Sequence, residues 1–312
     1  MAERHEKSQS SVNRFNSISP AANVVLVIIL VLVALTIIYP MVLITMVSFS
    51  TSESIALNGY TTFPEGLSLK AYEYLAKGGG TQILDSYIIT IFYTITGTIL
   101  SLIVMSMYAF VLANKNFPAR KVYTFILFFT MLFSGGLVPT YIVNTRYLHL
   151  YDTIWVFLLP GLVSAYNVII LRTFINSSIP DALFEAARID GATNFRIFFQ
   201  IVLPLFKPGL ATIGLFNVVA RWNDWFTAVL YIENPKLVPL QTVLQRIQQN
   251  IQFIKNNSQL ASSKEGQEML QNMPTESTQM AILLIITIPI LFAYPFFQRY
   301  FIQGLTIGSV KG

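Results

Sequence analysis

The feature that most limits what this chain can become is the stretch at 22–47, ANVVLVIILVLVALTIIYPMVLITMV, which carries no charged residue. A run of about 20 mostly apolar residues spans the roughly 30 Å of a bilayer's hydrocarbon as a helix. Five further segments, 87–113, 122–143, 153–174, 205–232 and 280–297, have the same character. The expected fold class is therefore all-α, a polytopic membrane protein with six transmembrane helices. Composition agrees: 11% of the 312 residues are charged, where an average soluble domain has about 25%.

Several chemistries are excluded at once. The chain has no cysteine and two histidines, His5 and His149, too few soft ligands for a disulfide framework, a zinc site or an iron–sulfur centre. The 20 basic residues against 15 acidic ones form no block, so they point to a lipid-facing cytoplasmic surface and not to nucleic acid. The run at 22–47 continues without a small-residue cleavage site, and is expected to stay as the first span.

Basic residues set the orientation. With the N-terminus in the cytoplasm, Lys115, Arg120, Lys121, Arg172, Arg188, Arg196 and Lys207 fall inside. The outside residues then sit mostly in long loops, where charge counts for little. Both termini are expected in the cytoplasm. The organisation is a cytoplasmic segment 1–21, a first transmembrane helix 22–47, an external loop 48–86, and a core 87–312 containing a loop 175–204, an external loop 233–277 and a cytoplasmic tail. Within the second external loop, Val243, Leu244, Ile247, Ile251 and Ile254 recur at helical spacing, as expected of an amphipathic helix packed on its own bundle.

The loop at 175–204 is too ordered for a mere connection. It contains EAARIDGATNFRIFFQIVLP. Pro180 suits a first helical turn, and Asp181 complements the positive end of the helix dipole. Gly191 suits a left-handed stop, and Thr193 or Asn194 can cap a second helix running toward Pro204. Ala182, Leu183, Ala186 and Ala187 are expected on one face of the first helix. Glu185 and Arg188 lie one turn apart, able to pair with each other or with charges on a partner.

The spacing Glu185-Ala186-Ala187, Gly191, Ile201, Leu203-Pro204 resembles the EAA motif of ABC importer permeases. RWNDWF at 221–226 and the ending YPFFQRYFIQGLTIGSVKG are similar to the carbohydrate-importing branch typified by the maltose permeases. MLFSGGLVPTYIV and LPGLVSAYNVIILRTF resemble the LplC/YtcP type more closely still. The resemblance implies a type I importer permease in a bacterial plasma membrane. It implies a second, usually different, permease subunit, two ATPase subunits and an extracellular solute-binding protein. It makes the loop a coupling element in which Ala182, Leu183, Glu185, Ala186, Ala187, Arg188, Asp190 and Gly191 meet the ATPase, while Ile201, Leu203 and Pro204 fix its angle to the fifth span.

The chain has no Gly-x-x-x-x-Gly-Lys-Ser/Thr phosphate loop, so ATP and magnesium are expected on the partner ATPase, with no cofactor here and no enzymatic role. A secondary carrier would be expected to hold acids or histidines inside its spans, whereas Arg221 and Asp224 are the charges well inside one. A membrane hydrolase would need a nucleophile elbow or a catalytic His or Cys in the membrane, which are missing. Sugars are bound by aromatic faces and by amide or charged groups. Trp222, Asn223, Asp224 and Trp225, together with Arg221, Asn217, Tyr166 and Asn167, supply these types. The same residues would equally serve as interfacial belt tryptophans, a self-neutralising Arg/Asp pair and interhelical asparagines. An importer for a non-sugar solute is the nearest alternative.

Overall fold

The computed structural model describes residues 19–77, 80–257, 263–264 and 275–309. Most of the expected cytoplasmic segment 1–21, with His5, and the end of the cytoplasmic tail lie outside the described residues, as does the side chain of Ile254. Two compact units are resolved, residues 1–71 with 275–281 and residues 72–274 with 282–312.

In the first unit, α1 (Pro20–Ser48) begins where Ser19 Oγ accepts from Ala22 N at 3.2 Å and Pro20 fills the first turn. It continues through Pro40 and is exposed along nearly its whole length, from Val24 to Tyr39. A helix apolar on every face belongs in lipid. After it, a single antiparallel bridge joins Ser50 to Leu67 around α2 (Ser52–Asn58), capped by Thr51 Oγ1. Next come α3 (Lys70–Lys77) and α4 (Gly80–Ala113).

The 34-residue α4 organises the second unit. It starts earlier than the apolar run at 87 suggests. One of its faces carries Ser86, Thr90, Thr94, Gly97, Thr98 and Ser101, and the hydroxyl residues among them are buried. Small residues let neighbouring backbones come close, which drives helix association where lipid offers no hydrophobic gain. Against it pack α8 (Ala165–Ser178) and α12 (Lys207–Trp222).

The remaining elements show why the apolar runs are not all straight spans. α5 (Arg120–Leu132) and α6 (Leu137–Ile142), which is extended by a π-helical turn at Val143–Tyr147, are bent by 114°. The break lies at the Gly135-Gly136 pair just ahead of Pro139. The run at 153–174 is not one helix. α7 (Trp155–Leu158) stops before Pro160, and α8 restarts where Ser164 Oγ accepts from Asn167 N at 3.4 Å. A 14-residue helix is only about 21 Å long.

After α9 (Asp181–Ile189) come α10 (Asn194–Ile197), a π-helical turn (Phe198–Val202) and α11 (Leu203–Leu205). This second helix passes Pro204 and breaks at Phe206, with a 79° bend into α12. α12 itself ends at Trp222, before α13 (Phe226–Tyr231), because Asp224 Oδ1 accepts from Thr227 N at 3.1 Å and starts a new helix. α14 (Leu240–Asn256) buries Val243 and Leu244, with Ile247 on the second core beside Val243, so this helix lies on its own bundle. The last helix is α15 (Glu276–Ser309), containing Pro289 and Pro295. Among the described residues, three helices are long and apolar enough to cross a membrane, or up to five if each bent pair is one span. Of the six apolar runs, the one outside this count is 153–174, which the short α7 and α8 carry in two pieces.

Two cores flank the middle of α4. One joins Met105, Ala109 and Leu112 to Val168, Leu171 and Ile175, and to Phe198, Val202, Phe206 and Ile213. The other joins Tyr93 to Phe157, Ala228, Tyr231 and Val243.

Candidate functional site

α9 is defined by its ends. Pro180, at φ −63° and ψ 140°, occupies the cap and not the first helical position, while Asp181 and Arg188 complement the dipole at opposite ends. Gly191 adopts φ 74°. Its N–H reaches Arg188 O at 3.0 Å, and Ala192 N reaches Ala187 O at 2.9 Å. This pair of bonds is the Schellman stop, which requires a left-handed residue at the position of Gly191. Thr193 then caps α10 through Arg196 N.

The helix divides into two faces. Phe184 and Ala187 turn into the first core, and Arg188 Nη2 donates to Asn114 Oδ1 at 2.9 Å. Asp181 pairs with Lys115. Ala187 is buried while Ala182, Leu183 and Ala186 are exposed; at about 100° per residue it lies about 140° from Ala182 and about 100° from Ala186, with Leu183 at the edge between the two faces. Glu185 and Asp190 are exposed as well, and Glu185 has no bond to Arg188. Ile189, 86% exposed, completes the outer face. Sequence reading missed it, although it lies three residues after Ala186 and seven after Ala182 on the same stripe. Ile201 and Leu203 pack on the first core, beside the hinge into α12.

A second site is a cavity of about 580 Å³ in the second unit, largely apolar with several polar side chains set into its wall, within the size range of small-molecule pockets. Thr140 and Asn144 reach it from α6, Ser164 and Asn167 from the α7–α8 break and α8, and Asn217, Arg221 and Asp224 from α12 and its end. Phe157, Phe216, Phe226 and Tyr231 supply aromatic walls. Asn144 Nδ2 donates to Tyr231 Oη at 3.1 Å, and Asn217 Nδ2 donates back to Ile213 O at 2.9 Å.

Arg221 holds the cavity wall together. Nη1 donates to Phe157 O at 2.6 Å, and Nη2 donates to Ser101 Oγ at 2.8 Å and to Gly161 O at 3.1 Å. Tyr93 Oη donates to the Arg221 carbonyl at 2.7 Å. The guanidinium lies against Gly97, where a Cβ would stand 2.5 Å from Nη1. The hydrogen-bond acceptors are neutral, while the Asp224 carboxylate is close enough to favour the cation without bonding to it. Arg221 and Asp224 thus do not simply pair.

The other proposed contacts lie elsewhere. Trp222 is buried at 4% exposure, donates Nε1–H to Ile286 O at 3.0 Å and meets Tyr87 edge-on. Asn223 bonds Val219 O and accepts from Gln241 Nε2, Trp225 packs edge-on against Phe226, and Tyr166 is exposed. None of these four lines the cavity. Thr140, Asn144, Ser164 and Tyr231 do, and were missed. The available signal was Thr140 and Asn144, one helical turn apart after a Gly-Gly-x-x-Pro break.

The far end of α13 is fixed by a clasp. Asp152, at φ 53°, donates its N–H to Tyr231 O at 2.8 Å, while its Oδ1 accepts from Glu233 N and Asn234 N at 3.0 and 2.8 Å. Tyr151 Oη donates to Glu233 Oε1 at 2.6 Å. That hydrogen bond above all, with desolvation and nearby carboxylates added, pushes the Tyr151 phenol up to about 12.

A multi-pass membrane chain, helical throughout its named elements among the described residues, with a cavity of mixed chemistry among broken helices and a short helix bare on its outer face, is built as a transport permease. Residues 106–307 match the family described as "Binding-protein-dependent transport system inner membrane component", and the chain belongs to it. It is 37% identical to the polygalacturonan/rhamnogalacturonan transport system permease protein YtcP of Bacillus subtilis, over 91% of this chain and 96% of that one. It is likewise 37% identical to the protein LplC of the same organism, over 85% and 86%. Among solved structures it superposes, with a TM-score of 0.76 and 30% identity, on a chain of a bacterial ABC transporter involved in the import of the acidic polysaccharide alginate, covering 91% of this chain and 99% of that one.

Proposed function

We propose that the chain is the permease subunit of an ATP-driven importer for an oligosaccharide or related carbohydrate. It works with a second, different permease chain, two ATPase subunits that bind ATP and magnesium, and an extracellular solute-binding protein. The observation that carries the coupling half of this reading is the outer face of α9, with Ala182, Leu183, Glu185, Ala186 and Ile189 free of their own bundle. A short helix tied down on one side and bare on the other is shaped to seat in a groove of a partner. Closure of the ATPase pair draws α9 toward its counterpart, and the contacts of Arg188 with Asn114 and of Asp181 with Lys115 pass the movement to the end of α4.

The carbohydrate half rests on the names of the relatives and on the cavity's mixture of hydroxyl, amide and aromatic groups, which suits a polyhydroxylated solute. The experiment is ATPase activity of the reconstituted importer across a panel of oligosaccharides, with Ile189→Glu and Ala186→Arg as docking variants. Stimulation by one glycan, abolished in both variants while the permease stays folded, supports both halves. Activity unaffected by either variant would sink the coupling role, and a working assembly stimulated by no glycan would remove the carbohydrate assignment.

A further inference from the structure

A groove of about 1130 Å³ runs along α5 at the end of the bundle that carries α9. Its mouth and its floor differ in chemistry. At the mouth stand Arg120, Lys121 and Arg172, the first and last half-buried. Arg120 and Arg172 are close enough for their charges to oppose one another. None of the three has a carboxylate partner among the described residues, and the neighbouring Lys115 is already taken by Asp181. Two cations at the start of α5, where the dipole adds further positive potential, with Arg172 of α8 lining the same mouth, favour an anion there.

The floor is apolar. Phe125, Phe129 and Phe133 follow one another at helical spacing, with ring centroids 6.2 Å and 4.6 Å apart, and Phe128 and Leu132 complete it. These side chains are 43 to 74% exposed. From Arg120 to Phe133 the helical rise is about 20 Å, a little more than one leaflet's share of a roughly 30 Å hydrocarbon core. Thr124, between mouth and floor, has a buried hydroxyl with no partner.

We propose that this groove holds one anionic diacyl phospholipid, its phosphate between Arg120, Lys121 and Arg172 and its chains along the phenylalanines. A transmembrane helix of the partner permease would cover the phenylalanines equally well, but its apolar surface would leave three clustered cations without a counter-charge. An acyl-chain lipid with an acidic headgroup meets both halves of the groove in one molecule, with the headgroup at the depth where basic pockets bind acidic lipids.

The test is native mass spectrometry of the full chain with phosphatidylglycerol and with phosphatidylcholine of identical acyl chains, alongside the triple variant R120Q/K121Q/R172Q. The wild type is expected to retain phosphatidylglycerol selectively. The triple variant should lose affinity on the order of a hundredfold, from about 1 kcal/mol for each basic residue at a membrane surface. If the triple variant does not fold, as its melting curve would report, Lys121→Glu on an exposed side chain is expected to weaken retention roughly tenfold. Free glycerol phosphate should bind neither protein. Equal retention of both lipids, or unchanged retention in the variants, would overturn the proposal. So would a photo-crosslinker at Phe128 in the assembled importer that captured a permease helix and no lipid.

Discussion

Alanine at Gly97 probes the buried Arg221 cation directly. Its Cβ would stand 2.5 Å from Arg221 Nη1 and 2.7 Å from Cζ. An arginine tip usually swings aside at little cost. Here it can retreat only toward the cavity, and doing so breaks its bonds to Phe157 O, Ser101 Oγ and Gly161 O. Interhelical hydrogen bonds in membranes average about 0.6 kcal/mol, so three amount to about 2 kcal/mol. Alanine in place of glycine in a helix interior returns about 0.5–1 kcal/mol. Gly97→Ala is therefore expected to destabilise the wild type by about 1 kcal/mol. In an Arg221→Met background it should instead stabilise by about 0.5–1 kcal/mol, a coupling of about 2 kcal/mol. Reversible unfolding of the four proteins in bicelles measures the cycle. The same loss in both backgrounds, beyond an additivity error of about 0.5 kcal/mol, would refute the clamp.

Trp222→Phe removes the indole donor to Ile286 O and shrinks the edge-on contact with Tyr87; a loss of about 1–2 kcal/mol is expected in the same unfolding assay. Gly191→Val meets open space but a backbone at φ 74°, so it should cost about 1–2 kcal/mol through strain, while Gly191→Asn stays near wild type. Coupled transport should fall in the valine variant, and full stability with full transport would show the Schellman stop to be dispensable. The Tyr151 phenol titrates near 12 in the folded chain and near about 10 when unfolded. Its contribution is thus present below about pH 10 and lost as pH rises through about 12. Absorbance titration of Glu233→Gln should show one tyrosine ionising earlier than in wild type; superimposable curves would break the assignment.

What could be read in the residues depended on range. Pro180, Gly191 and Thr193 act on their immediate neighbours, so the ends of α9 and the start of α10 are legible without a fold. The direction of its faces is not: Ala187 and Ala186 are chemically alike, and only the position of the first core decides that one is covered and the other bare. The apolar runs marked membrane-embedded chain correctly but not which of them are continuous helices. Hydrophobicity says where a segment resides, whereas Pro160, the Gly135-Gly136 pair and the Asp224 cap decide where its helix stops. Arg221 and Asp224 line one cavity without bonding to each other, because the guanidinium finds its acceptors on α4 and near α7, contacts that no local pattern encodes. Trp222 was grouped with possible sugar contacts for its ring, yet its N–H finds a partner on α15.

The Arg221 clamp also bears on biogenesis. An arginine in the middle of a segment entering the bilayer is penalised by about 2.5–3.5 kcal/mol. In chain order, however, Gly97, Ser101, Phe157 and Gly161 all leave the ribosome before Arg221 does. The glycine notch and the acceptors are thus already synthesised when the cation arrives, so the segment carrying the arginine is delivered after the receptacle made for it. Moving α12 ahead of α4 by circular permutation would preserve every final contact and remove that order of delivery.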